Sequence, residues 1–132
     1  MPRHELGIIE NINIEELIRK FKNNKLNIRA RIITYRLFHE YKPSKYDCIS
    51  IDDFIMVKIK GLDFKSYAFN FIENRGFDYY YITIIPPTSL LIIMEKLDNL
   101  EVDKNWQDEI DKLKDKLWEA YKKNKYIIHY GI

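Results

Sequence analysis

The sequence predicts an α+β domain, with a small, mainly antiparallel sheet and helices packed on one face. Three observations carry that expectation. The aromatic and β-branched run from Phe77 to Ile85 stops at Pro86-Pro87, a pair that continues no ladder of backbone hydrogen bonds. Directly behind it, Leu90, Ile93, Met94 and Leu97 recur at helical spacing. Further on, Trp106, Ile110, Leu113, Leu117 and Tyr121 form one long apolar stripe.

The elements follow in chain order. Gly7-Ile8-Ile9 reads as a short edge strand. Asn13, with Glu16 three residues on, suits a helix start, and Ile14, Leu17, Ile18 and Phe21 share a face before a stop at Asn23-Asn24. Residues 26–41 fit two periods. Leu26, Ala30, Ile33, Leu37 and Tyr41 make a helical face, whereas Ile28, Ala30, Ile32 and Thr34 alternate as in a strand; length favours helix. A turn at Pro43 then leads to a buried strand over 46–51. Asp52-Asp53 ends that strand and caps a short helix that stops at Gly61. Strands at 64–72 and 77–85 are expected to form a hairpin. Its turn is placed at Glu73 to Gly76, with Gly76 left-handed, and its tyrosine face lies beneath the last two helices. Those helices span 88–98, capped by Thr88 or Ser89, and 104–123, opened by Asp103 or Asn105. A last strand at 126–131 needs a neighbour, which the hairpin supplies.

Length and composition bound the class. The chain of 132 residues reads as one domain, 1–132, with 46% hydrophobic and 32% charged residues, the proportions of a soluble protein. The single cysteine, Cys48, excludes an internal disulfide. No apolar run approaches the roughly 20 residues that span a bilayer, so no membrane segment is expected and the location is expected to be cytoplasmic. Residues 1–46 hold ten Lys/Arg against five Asp/Glu, a net of +5, and the remainder carries −3. Such asymmetry suits an anionic partner or is merely scattered charge. Nucleic-acid binding through Arg19, Lys20, Arg29, Arg31 and Arg36 is the lesser expectation.

Few residues suggest chemistry. Of the three histidines, His4 and His129 meet if the chain ends pair, with Glu5 then orienting one imidazole; the plainer alternative is structural histidines at strand ends. With Arg3, Asp52 and Asp53 they form the one polar site the sequence offers for acid–base work or ligand binding. Asp52 and Asp53 equally serve as helix-start residues. No His or Cys pair shows a ligand spacing, so neither a metal nor a cofactor is expected. Cys48, in a buried strand, is expected to be inert. Tyr79-Tyr80-Tyr81 invites base stacking, but Lys and Arg are scarce beside it, and no glycine-rich phosphate loop exists.

Four patches, PRHELGI (2–8), YKPSKYDCISIDD (41–53), YITIIPPTS (81–89) and YIIHYGI (126–132), resemble a family of small uncharacterised proteins of Gram-positive bacteria. Residues 11–39 match that family poorly, so the resemblance implies a variable or inserted helical segment there; it implies no activity and no catalytic residue. The functional expectation is a non-enzymatic binding or regulatory module acting on another protein, in one version immunity- or antitoxin-like. The alternative is a small enzyme or ligand-binding protein built on His4, Glu5, Asp52, Asp53 and His129.

Overall fold

The first and last strands of this chain are neighbours. A computed structural model describes residues 2–22 and 28–131. In it β1 (Arg3–Ile9) pairs antiparallel with β6 (Tyr126–Tyr130) on one side and with β2 (Ile49–Asp52) on the other. Beyond β6 come β5 (Ile82–Ile85), β3 (Lys65–Ala68) and β4 (Glu73–Arg75), giving a six-stranded antiparallel sheet ordered β2-β1-β6-β5-β3-β4. The fold class is α+β as expected, and β6 does lie beside β5. The N-terminal strand, however, is seven residues long and internal, with β2 and β4 at the edges. Leu6, Gly7, Ile8 and Ile9 are all buried because both flanks and both faces of β1 are covered.

Side-chain alternation divides the core in two. Leu6, Ile8, Ile51, Ile85 and Ile127 point to the face covered by α3 (Asp53–Ile59), α4 (Pro87–Asp98) and α5 (Lys104–Lys122). Ile9, Ile84, Ile128 and Tyr130 point the other way, under α1 (Ile14–Lys22) and α2 (Ile28–His39), which contribute Ile14 and Phe38. The expected helical layer on one face is therefore present, and a second layer covers the opposite face. β5 is buried on every residue, a pattern that demands both. Residues 28–39 are helical, as length favoured; Asn23, Asn24 and Leu26 lie outside the described residues.

Three local expectations are corrected. The strand expected over 46–51 begins only at Ile49, because Pro43–Tyr46 is a 3-10 turn closed by Asp47 at φ +50°. The hairpin turns at Phe69–Ile72: the Asn70 side chain accepts from the Ile72 amide and Phe71 adopts φ +63°, so Glu73–Arg75 is strand and not turn. Gly76 is left-handed at φ +74° as expected, but it ends β4. The aromatic run 77–81 is not strand either. The Asp78 carboxylate accepts from the Tyr80 amide, and Thr83 Oγ1 accepts from the Asp78 amide, replacing ladder bonds with local ones. Tyr80 and Tyr81 stand 65% and 69% exposed, so the expected burial of the tyrosine face fails there.

Caps behave more locally. Asn13 accepts from the Glu16 amide and Asp52 from the Phe54 amide, both as the sequence suggests. At α4 the start is instead set by Pro86 and Pro87, and the Ser89 hydroxyl donates to the Lys65 carbonyl. Asp103 opens α5 without a side-chain cap bond. Among the described residues no helix is long and apolar enough to cross a membrane.

Candidate functional site

Register brings the two histidines together. Leu6 faces His129 across β1 and β6, so His4, two residues along β1 on the same face, is the diagonal neighbour of His129. His4 Nδ1 lies 2.9 Å from His129 Nε2, and the rings stack at 5.1 Å between centroids with 15° between planes. Both side chains are fully buried.

His4 Nε2 lies 2.9 Å from Asp53 Oδ1, and the Tyr79 hydroxyl donates to the same oxygen. A hydrogen-bonded chain thus runs Tyr79–Asp53–His4–His129, joining the 77–81 segment, α3, β1 and β6. Burial opposes ionisation of Asp53, but the bonds from Tyr79 and His4 outweigh it and hold its carboxyl below the usual range. The same bond to Asp53, with burial, pushes the Tyr79 phenol up to about 12. Burial, with His4 beside it, lowers His129 to about 3. An ionised Asp53 requires His4 to donate from Nε2. His4 Nδ1 and His129 Nε2 then share one proton between them, and His129 Nδ1 is left buried without a partner.

Glu5 does not orient either imidazole. Adjacent strand residues face opposite sides, and Glu5 accepts instead from the Tyr41 hydroxyl at 3.2 Å. Asp53 takes the orienting role. Asp52 and Asp53 also diverge: Asp52 caps α3 and lies 3.6 Å from Arg3, while Asp53 turns to His4. Arg3 donates to Ser50 Oγ at 2.6 Å and to Glu109 at 3.1 Å, and Glu109 accepts from the Asp52 amide at 3.2 Å. Burial disfavours the Glu109 carboxylate, yet the bonds from the Asp52 amide, Arg3 and Lys112 keep its carboxyl below the usual range. Of the six residues singled out from sequence, the structure therefore joins His4, His129 and Asp53 in one cluster and Arg3 with Asp52 in another. Glu5 stands apart.

Sequence reasoning weighs Tyr79 only for base stacking and does not single out Glu109. Nothing local marks either for the cluster, since Tyr79 is one of three consecutive tyrosines and Glu109 sits in an ordinary charged helix. Cys48 is half-buried and its thiol is pushed up to about 12 by burial, in keeping with an inert group. Among the described residues no group of His, Cys, Asp and Glu is arranged to hold a metal. The cations weighed for nucleic acid are on α1 and α2, where Lys20 pairs with Glu16 at 2.9 Å and Arg31 lies over the Phe21 ring.

Both imidazoles are buried, so the cluster ties β1 to β6 and to α3, with the less buried Asp53 and Tyr79 at its edge toward solvent. No protein-family model, no curated protein and no solved structure matches this chain.

Proposed function

We propose that this chain is a non-enzymatic binding or regulatory module, that its partner is another protein, and that the outer side of α4 and α5 is the recognition surface. The observation that carries this is α4 itself. Leu90, Ile93, Met94 and Leu97 are buried against the sheet, yet Leu91 and Ile92 remain 46% and 43% exposed. A helix apolar on both sides but covered on one is an unfinished interface. Trp118 of α5, 48% exposed, shares a groove with Leu91. Between the helices runs a groove of about 580 Å³ with Leu91, Met94 and Trp118 on its walls and Glu95, Asp98 and Asp115 on its rim. Lys114 is already engaged by Asp98, so the surplus charge is negative. An apolar floor with an acidic rim suits a basic, aliphatic segment of the partner.

The specific version is an immunity- or antitoxin-like protein of the cytoplasm that covers a cationic surface on a neighbouring toxin. Co-expression with the product of the adjacent gene tests it. A stoichiometric complex that Leu91→Asp or Trp118→Ala abolishes, with the melting curve unchanged, is expected. Complex formation indifferent to both substitutions, or none at all, rejects the surface.

One observation favours a second reading. The Tyr79–Asp53–His4–His129 chain has the form of an acid–base relay. A working relay exchanges its protons with solvent during turnover. Imidazole N–H signals that persist in deuterated solvent long after surface amides have exchanged remove that reading.

A further inference from the structure

We infer that the cavity beside Lys116 is a binding site for a small monocarboxylate with an aliphatic or aromatic body. The cavity, about 560 Å³, lies between the start of the chain after β1, the Pro43–Asp47 turn and the middle of α5. That volume is within the range of small-molecule sites. Its apolar walls are Ile8, Ile12, Leu37 and Tyr46. Three lysines and three acids also line it, but they are not evenly matched.

Lys123 takes Glu10 and Glu119, each at 3.2 Å. That leaves Lys116 with the far oxygen of Glu119 at 3.5 Å and with Asp47 at 3.6 Å. Well-formed charge-assisted hydrogen bonds are roughly 2.7–2.9 Å, so both contacts are slack. Asp47 is wholly exposed and free to swing away, whereas Lys116 is 8% exposed and has already lost most of its water. Lys45 joins no ion pair among the described residues; its ammonium stands 5.6 Å from the Tyr46 ring centroid. A buried ammonium with loose partners, a second cation nearby and an apolar wall together select one carboxylate on a hydrophobic body. The acidic-rimmed groove between α4 and α5 lies on another side of α5, so this site stands independently of the proposed interface.

Sodium octanoate, octanol and octylammonium are the probes, read by methyl NMR at Ile8, Ile12 and Leu37 on the full chain. Saturable shifts with octanoate, absent with octylammonium and much weaker with octanol, are expected. Lys116→Met should weaken octanoate by about tenfold or more, the usual effect of losing a charged hydrogen bond, and Lys116→Arg should restore most of it. Lys45→Gln, on an exposed side chain, should weaken it several-fold and provides the decisive comparison if Lys116→Met does not fold. Octanol matching octanoate, shifts confined to other methyls, or wild-type affinity in both lysine variants overturns the assignment.

Discussion

His4 Nδ1 and His129 Nε2 lie 2.9 Å apart, a side-chain hydrogen bond between residues 125 positions apart in the chain. It fastens the first strand to the last in the interior of the sheet. Because His129 is held to about 3 by burial, it is neutral in the folded protein. The unfolded chain binds a proton there near 6.5. Between those values the unfolded state holds more protons, so stability rises with pH.

From this a pH dependence follows. The contribution of a neutral His129 is complete above about 6.5 and is lost as pH falls toward about 3. The slope reaches at most about 1.4 kcal/mol per pH unit for one proton. Urea melts across that window should show the decline, and His129→Gln should flatten it. An unchanged slope in the variant assigns the pH dependence elsewhere.

Asp53 joins His4 to Tyr79, and Asp53→Asn removes the charge while keeping the shape. Loss of the charged bonds is expected to cost about 1–3 kcal/mol. Because the Asp53 bond is the leading cause of the raised Tyr79 phenol, that group should titrate lower in the variant, back toward its ordinary 10. Ultraviolet titration, with Tyr79→Phe as reference, measures it.

Gly7 faces the Pro43–Tyr46 turn with no space for a side chain. A Cβ there would lie 2.6 Å from the Tyr46 carbonyl oxygen and 2.6 Å from Cys48 Sγ. Backbone on that side yields only if the turn lifts off β1. Gly7→Ala should therefore destabilise by about 1–3 kcal/mol, as overpacked sites do. Faster labelling of Cys48 by a thiol reagent would confirm that the turn has moved.

Arg3, with a side chain 39% exposed, is a different case despite its several partners. Exposed ion pairs are screened, and Arg3→Ala should cost no more than about 1 kcal/mol, less in high salt. A large, salt-independent loss in denaturant melts would show that Glu109 needs Arg3 to remain tolerably buried.

Legibility in the sequence tracked the range of the interaction responsible. Asn13 and Asp52 were recognisable as caps because a cap is a bond over two or three residues. The α5 stripe was readable because Ile110, Leu113 and Leu117 repeat with the helix and all end buried. The hairpin was misplaced because Glu73 to Gly76 has good turn composition, while the turn actually forms at Asn70 and Phe71. Propensity favours strand over the tyrosine run 77–81, and the local bonds of Asp78 and Thr83 override it. In the site, the sequence offers the meeting of His4 and His129 only on the condition that the chain ends pair, and that pairing is a long-range outcome. Glu5 was excludable from alternation alone, since it neighbours His4 in a strand.

Local composition and periodicity determined the class of fold, most helices, two caps and the burial of the last strand, since these depend on residues within a few positions of one another. Only the tertiary structure decided that β1 is internal, that Asp53 and not Glu5 holds His4, and that Leu91, Ile92 and Trp118 are left uncovered. Those outcomes depend on which strands pair and in what register. Such pairings are made by residues far apart in the chain, and a one-residue slip would have turned His4 to the opposite face.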